Sequence, residues 1–224
     1  TRLRPLTRLI AGDERPKQFC PVIGDQTLLD QTRNRVALAV RPDQTIFVVT
    51  QHHARVYKPL LGDVRRQQLV AQPKNVGTAS AILYSLLRLS HVAPSSSVAF
   101  FPSDHYFSDD RAFISYVEAA FEATRSRDDL VILLGIKPEG PEGEYGWIEP
   151  VSSGLLKSPD ALCRVRRFWE KPNTHIAHAL MDRGCLWNSF VMVGRVSAFL
   201  EMIRRAAPDL YGRFDAVRPV LNTA

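Results

Sequence analysis

The chain has 224 residues, 45% of them hydrophobic and 23% charged, and carries a formal net charge of +6. The length suits one large domain, and the composition is that of a globular protein. No apolar run approaches the ~20 residues of a membrane-spanning helix, and the basic residues are not gathered in one run, which disfavours membrane proteins and nucleic-acid-binding modules.

Residues 2–17, at the start of the chain, contain two cations, Arg2 and Lys17, and two prolines, Pro5 and Pro16. Because proline is disfavoured inside helices and strands, we predict that residues 2–17 form a shaped loop that holds both cations in place. The planar fork of an arginine and the compact charge of a lysine suit phosphate binding. The alternative is a solvated basic loop on the surface.

Short apolar runs alternate with segments of helical periodicity along most of the chain. The predicted strands are residues 45–50, 68–71, 98–102, 130–136 and 186–193, and the predicted helices are residues 52–61, 78–89, 110–125, 174–182 and 196–207. This alternation predicts an α/β fold with a Rossmann-like, mostly parallel mixed sheet and helices on both faces. Such sheets bind ligands beyond the carboxyl ends of their strands.

Residues 72–79 (QPKNVGTA) lead from the second predicted strand into a helix. The amide of Gln72 can recognise the edge of a nucleobase, and Gly77 lets the backbone come close to a flat ring. The start of the helix offers free N–H groups. The alternative is an ordinary turn in which Thr78 caps the helix.

The third predicted strand ends in Pro102-Ser103-Asp104-His105. A carboxylate in this position can hold Mg²⁺, which prefers oxygen ligands and substrate phosphates. The alternative is that Asp104 caps the next turn. His105 is the weaker candidate, because a lone histidine after a strand is more often packed or exposed than catalytic.

Three later segments place aromatic residues beside a glycine, a charged pair or an amide: 144–149 (EYGWIE), 168–172 (FWEKP) and 186–190 (LWNSF). A glycine beside aromatic residues allows close approach to a sugar ring, while a glutamate beside a lysine offers an acceptor for hydroxyls and a cation for phosphate. Taken singly, they would be strand residues with a weak surface ion pair.

Taken in order, these segments resemble the motifs of the sugar-1-phosphate nucleotidyltransferases. The similarity runs from Thr1 to about Val193, and departs from the family pattern at Phe190, where the family has glycine after Trp-Asn-Ser. It implies one nucleotidyltransferase domain over residues 1–224, without the family's first strand and glycine-rich turn before Thr1. The family's second metal carboxylate would lie beyond Ala224.

The resemblance also implies a role for each matching residue. The implied nucleotide-binding residues are Thr1, Arg2, Gln72, Pro73, Gly77 and Thr78. The implied sugar-phosphate-binding residues are Tyr145, Gly146, Glu170, Lys171 and Asn188. The implied catalytic residues are Arg2, Lys17 and Asp104, with Asp104 as the Mg²⁺ ligand.

Within the family, the motifs are most similar to those of enzymes that use GTP and mannose-1-phosphate, which implies these two substrates and Mg²⁺. Three cysteines without metal-ligand spacing predict reduced thiols, and hence a cytoplasmic protein. The scattered basic residues and the lack of a long apolar run predict no nucleic-acid or membrane partner. The sequence leaves open whether the protein forms a homodimer. Two alternative functions are also left open: uridylyl or thymidylyl transfer to glucose-1-phosphate, and sugar-nucleotide binding by a non-catalytic regulatory relative. The four charged residues Arg2, Lys17, Asp104 and Lys171 together argue against the regulatory relative.

Overall fold

The computed structural model describes residues 3–151 and 162–220. Its helices are α1 (Arg4–Ala11), α2 (Leu28–Val36), α3 (Ala54–Leu60), α4 (Thr78–Val92), α5 (Asp110–Ser126), α6 (Thr174–Asp182), α7 (Val196–Ala206) and α8 (Pro208–Asp215). Its strands are β1 (Phe47–Thr50), β2 (Leu69–Gln72), β3 (Ser97–Phe100), β4 (Val131–Ile136), β5 (Gly146–Pro150), β6 (Val165–Glu170) and β7 (Leu186–Arg195). No helix in these ranges is long and apolar enough to cross a membrane.

The described strands form two sheets. β1 and β2 pair in parallel, from Phe47 opposite Leu69 to Thr50 opposite Gln72. In the second sheet β7 runs antiparallel to β3, β4 and β5, and β6 pairs with β5. Since β3 and β4 both run against β7, they are parallel to each other. The predicted α/β class with a mixed sheet is confirmed.

Helices pack on both faces of the second sheet. Successive side chains of β7 point to opposite faces, so each face offers apolar side chains to a helix. Val191 and Val193 face a core cluster that contains Phe113 and Val117 of α5. Met192, between them in sequence, packs with the helices of the opposite face, α4 and α7. The period of two in this strand therefore sets which helix lies on which face.

The prediction of a loop over residues 2–17 is wrong for Arg4–Ala11, which form α1. Pro5 lies in the first turn of this helix, where the missing backbone N–H would have had no helical partner. The helix ends at Gly12, whose φ of 75° lies in the left-handed region that glycine adopts easily. Residues 12–16 then lead to a 3₁₀ turn at Lys17–Phe19. Arg2 lies outside the described residues.

We expect Phe199→Ala to lower the free energy of unfolding by about 3–5 kcal/mol, the usual cost of deleting a buried aromatic ring. Phe199 of α7 is fully buried, and its ring meets Phe100 of β3 edge to face at 5.1 Å. Met202 on the same helix is 42% exposed, so Met202→Ala should cost at most about 1 kcal/mol. Urea denaturation measures both changes, and equal losses would contradict this assignment of the core.

Candidate functional site

Lys17 opens a short turn that is anchored to the core by its neighbours. Phe19 and Cys20 are buried, and Phe19 packs with Leu29 and Tyr57 in a cluster that also contacts β1 and β2. The backbone N–H groups of Phe19 and Cys20 donate hydrogen bonds to the carbonyls of Pro16 and Lys17. The backbone of Lys17 is thereby fixed, while its side chain stays one-third exposed.

Lys17 meets Asp104, which follows β3 in the other sheet. The Nζ atom of Lys17 lies 3.2 Å from Oδ2 of Asp104, and Nε2 of His105 lies 3.6 Å from Oδ1 of Asp104. The structure therefore brings together two residues that the sequence analysis proposed from separate motifs. Each of the three side chains is 34% exposed, so a ligand can reach them.

The imidazole of His105 adds no positive charge to this pair near neutral pH. Burial lowers the pKa of His105; Asp104 opposes this shift, while Lys17 and Arg35 add to it. His105 is thus a neutral neighbour of the carboxylate, and Lys17 is the cation that contacts Asp104.

A second group of predicted residues forms the Gly146 cluster, defined as Gly146, Glu170, Lys171 and Asn188. Gly146 pairs with Glu170 between β5 and β6. A Cβ placed on Gly146 would lie 3.3 Å from Oε2 of Glu170 and 3.6 Å from Cβ of Asn188. Nζ of Lys171 lies 3.8 Å from Oε1 of Glu170. The missing side chain of Gly146 therefore leaves space beside an amide, a carboxylate and an ammonium group.

Tyr145 lies next to this cluster in sequence and is half exposed. Its ring contacts the edge of Trp187, with the two ring centroids 4.9 Å apart. Trp187 precedes Asn188 on β7 and packs in turn on the buried Trp147. Aromatic side chains therefore lie beside the Gly146 cluster.

The register of β7 places both groups at one end of the five-stranded sheet. Along β3 the pairing runs from Ser97 opposite Arg195 to Phe100 opposite Met192, so the chain that leaves β3 heads toward the amino end of β7. Asn188 lies at that end, opposite Gly135 near the end of β4. Asp104 therefore follows β3 at the end of the sheet that carries the Gly146 cluster.

Phe190 adopts a φ of 60°, in the left-handed region that side chains rarely occupy. Its backbone N–H donates a 2.9 Å hydrogen bond to Oδ1 of Asn188, which holds the Asn188 amide in place. This geometry explains why a glycine suits the position in the family motif. Lys171 also has a positive φ, of 44°, so both sides of the Gly146 cluster contain an unusual backbone conformation.

The predicted base-binding segment follows β2. Gln72 is the last residue of that strand, and Gly77, with a φ of 99°, is the N-cap of α4. Thr78 is the first helical residue and makes no capping hydrogen bond, so the alternative of a threonine cap is not observed. The described contacts do not link Gln72, Pro73, Gly77 or Thr78 to Lys17 or Asp104. Thr1 and Arg2 lie outside the described residues, and their roles stay predictions.

The sequence analysis missed Arg35 of α2, whose side chain is only 3% exposed. Nε of Arg35 donates a hydrogen bond to Asp110, and Nη1 lies 3.5 Å from the carbonyl oxygen of His105. An arginine in a polar helix is ordinarily solvated, so nothing in the local pattern marks this one as buried. The nearest sequence signal is Thr27, whose side chain caps α2 and so sets where the helix begins.

The family model for nucleotidyl transferases matches residues 1–216. The chain belongs to this family. It is 29% identical over 213 residues to the alginate biosynthesis protein AlgA of Pseudomonas syringae pv. tomato, covering 94% of this chain and 42% of AlgA. It is 28% identical over 231 residues to mannose-1-phosphate guanylyltransferase of Escherichia coli (strain K12), covering 99% of this chain and 47% of that protein. The chain therefore spans less than half the length of these curated relatives.

A solved structure supports the same family at the level of the fold. The crystal structure described as mannose-1-phosphate geranyltransferase from Thermus thermophilus superposes with a TM-score of 0.80 at 29% sequence identity. The match covers 94% of this chain and 58% of that one. The predicted resemblance to the nucleotidyltransferase fold is thus confirmed.

We expect Phe190→Gly to be more stable than Phe190→Ala by about 1 kcal/mol, because only glycine enters the left-handed region without a Cβ clash. Phe168 on β6 is the control, being 48% exposed and extended, so there glycine should be the less stable replacement. Thermal unfolding of the four variants measures both differences. The same order at both positions would contradict the backbone strain at Phe190.

Proposed function

We propose that this protein transfers GMP from GTP to mannose-1-phosphate, which yields GDP-mannose and pyrophosphate. The observation that carries the proposal is the Lys17–Asp104 pair at the end of the sheet that also holds the Gly146 cluster. A cation with a carboxylate suits a metal-bound triphosphate, and the open space at Gly146 suits a sugar. The guanylyltransferase of E. coli supports the choice of substrates.

In the proposed reaction, a phosphate oxygen of mannose-1-phosphate forms a bond to the α-phosphorus of GTP. The bond from that phosphorus to the bridging oxygen of the β-phosphate breaks, and pyrophosphate leaves with the electron pair. The reaction requires alignment and charge neutralisation, but no covalent enzyme intermediate. The attacking phosphate monoester is already ionised near neutral pH, so no general base is needed.

Lys17 supplies the positive charge in this proposal. In the free chain its ammonium is partnered by Asp104, and both groups are exposed enough to exchange partners when phosphates arrive. A lysine whose backbone is fixed by a buried phenylalanine neighbour needs little reorganisation to contact a transferring phosphate. Arg2 would add a second contact to the triphosphate.

Asp104 fits the role of an Mg²⁺ ligand. Among the described residues there is no group of three or more histidine, cysteine or acidic side chains that could hold a metal alone. Mg²⁺ is commonly bound by one or two protein carboxylates and completes its coordination shell with phosphates and water. A single carboxylate beside the lysine proposed to bind phosphate fits this pattern. When bound, the ion would neutralise charge on the phosphates.

The guanine base of GTP and the mannose would then bind to the base-binding segment and to the Gly146 cluster, respectively. The uncapped N–H groups at the start of α4 and the amide of Gln72 are suited to the guanine base, with Thr1, Pro73, Gly77 and Thr78 alongside. Asn188 and Glu170 would bind mannose hydroxyls beside Tyr145 and Gly146, and Lys171 would hold the sugar phosphate. Cys20 and Cys185 are buried thiols outside any disulfide, which agrees with action in the cytoplasm.

The proposal is tested by incubating the full-length protein and Mg²⁺ with each pair of nucleoside triphosphate and sugar-1-phosphate, and measuring pyrophosphate release. We expect the highest kcat/KM for GTP with mannose-1-phosphate. Faster release with UTP or dTTP and glucose-1-phosphate would contradict the substrate assignment. Binding of sugar nucleotide without release from any pair would indicate a regulatory protein.

Lys17→Met should lower kcat by about a hundredfold, because a well-placed charge that acts on the transition state is worth about 3 kcal/mol. The melting temperature should hardly change, since an exposed ion pair contributes little to stability. Lys58 of α3 is an exposed lysine without an ion pair among the described residues, so Lys58→Met is the control and should keep full activity. If the kcat of Lys17→Met stayed within a few-fold of the wild-type kcat, Lys17 would be an ordinary surface lysine and the proposed role would be wrong.

A further inference from the structure

The segment that carries Asp104 has no regular structure of its own. Residues 101–109 connect β3 to α5 without a helix or a strand. Asp104 makes its ion pair from the middle of this segment, so the position of its carboxylate depends on what holds the connection in place. The described anchors of this connection include the ring of Phe107, which packs on Phe113 of α5 with centroids 4.0 Å apart, and Arg35.

Arg35 binds this connection at several points at once. Its Nε atom pairs with Asp110 at the start of α5, and its Nη1 atom points to the carbonyl oxygen of His105. Its guanidinium carbon lies 4.8 Å from the centroid of the Phe107 ring. A single buried side chain of α2 therefore contacts the residue after Asp104, the aromatic anchor of the connection and the beginning of the next helix.

The inside of a protein is an unfavourable place for a guanidinium unless its donors are satisfied in a fixed geometry. Arg35 is 97% covered, and a planar fork of donors allows it to address Asp110 and His105 from one position. A lysine would offer one nitrogen in place of the separate Nε and Nη1 atoms that address these two partners. The guanidinium of Arg35 therefore orients residues 101–110 in addition to packing against them.

We propose that Arg35 is a positioning residue that holds residues 101–110 so that the carboxylate of Asp104 faces Lys17 and the metal-bound phosphates. The inference rests on the proposed function for its catalytic consequence. Groups of the outer shell that orient metal ligands commonly change metal affinity by about 10–100-fold when they are removed. Arg35 touches neither the predicted base-binding segment nor the Gly146 cluster among the described contacts, so its effect should be confined to the metal and phosphates.

The same helix offers a matched control. Arg33 makes the same three kinds of contact as Arg35, but at another place. It pairs with Asp63, donates a 2.8 Å hydrogen bond to the carbonyl of Leu60, and lies 5.5 Å from the ring of Phe47. These partners lie at the end of α3, in the turn that follows it and in β1, and none is in the segment that carries Asp104. Loss of Arg33 therefore removes comparable interactions without releasing that segment.

The experiment compares Arg35→Met and Arg33→Met in the full-length protein by hydrogen–deuterium exchange and by steady-state kinetics. Arg35→Met should increase amide exchange in residues 101–110, whereas Arg33→Met should increase it near residues 60–64. Arg35→Met should also raise the Mg²⁺ concentration for half-maximal rate by about tenfold or more, with the KM for mannose-1-phosphate within about twofold of wild type. Arg33→Met should leave the Mg²⁺ dependence unchanged.

Unchanged exchange in residues 101–110 of Arg35→Met would overturn the inference, and so would an equal rise in the Mg²⁺ requirement of Arg33→Met. If Arg35→Met does not fold, Arg35→Lys replaces it, and wild-type exchange and Mg²⁺ dependence in that variant would overturn the inference as well. The two proposals fail separately. A wild-type protein without transferase activity would reject the proposed function, while the exchange data would still decide whether Arg35 holds the connection.

Discussion

Strand β7 is the constraint on which the arrangement of the site depends. It hydrogen-bonds to β3, β4 and β5, and its alternating side chains face α5 on one side and α4 with α7 on the other. A one-residue slip of this strand would turn Val191 and Val193 away from their core. The register is therefore tightly specified, and with it the position of Asn188 relative to the chain that leaves β3.

The two sheets are joined at the site by charge. Lys17 stands on a turn that packs with the cluster around β1 and β2, yet its side chain reaches Asp104 after β3. Arg35 makes a second connection of the same kind, from α2 to the start of α5. The Lys17–Asp104 pair thus joins the groups proposed to handle phosphates, and a change in the packing of either sheet would alter their relative position.

Much of the fold was predictable because the decisive signals are local. The apolar runs that became β1, β3 and β4 are continuous, and helices such as α5 show clear periodicity, so the alternation could be recognised without knowing the contacts. The error at α1 arose from treating Pro5 as a helix breaker, although a proline is accepted in a first turn.

The candidate site was predictable only in part. Lys17, Asp104 and the Gly146 cluster were named from motifs, but the sequence contains no information on which cation meets which carboxylate. That pairing depends on how two sheets pack, which is a property of distant residues. Arg35 illustrates the limit: Arg33 and Arg35 are the same residue type two positions apart on one helix, and only the tertiary structure distinguishes the one that reaches the segment of Asp104.

The hydrogen bond between Phe190 and Asn188 has a consequence for the chemistry that the amide can offer. Because a backbone N–H must be met by an oxygen, the bond identifies Oδ1 and leaves Nδ2 on the side of Gly146, where it lies 3.8 Å from the position that a Cβ would take. Asn188 therefore presents donors to the open space. A donor detects oxygen lone pairs and is indifferent to whether that oxygen carries a hydrogen. In the proposed sugar complex, such a group would distinguish a sugar that lacks an oxygen at the contacted carbon from one that has it, while an ether oxygen and a hydroxyl would be equivalent acceptors.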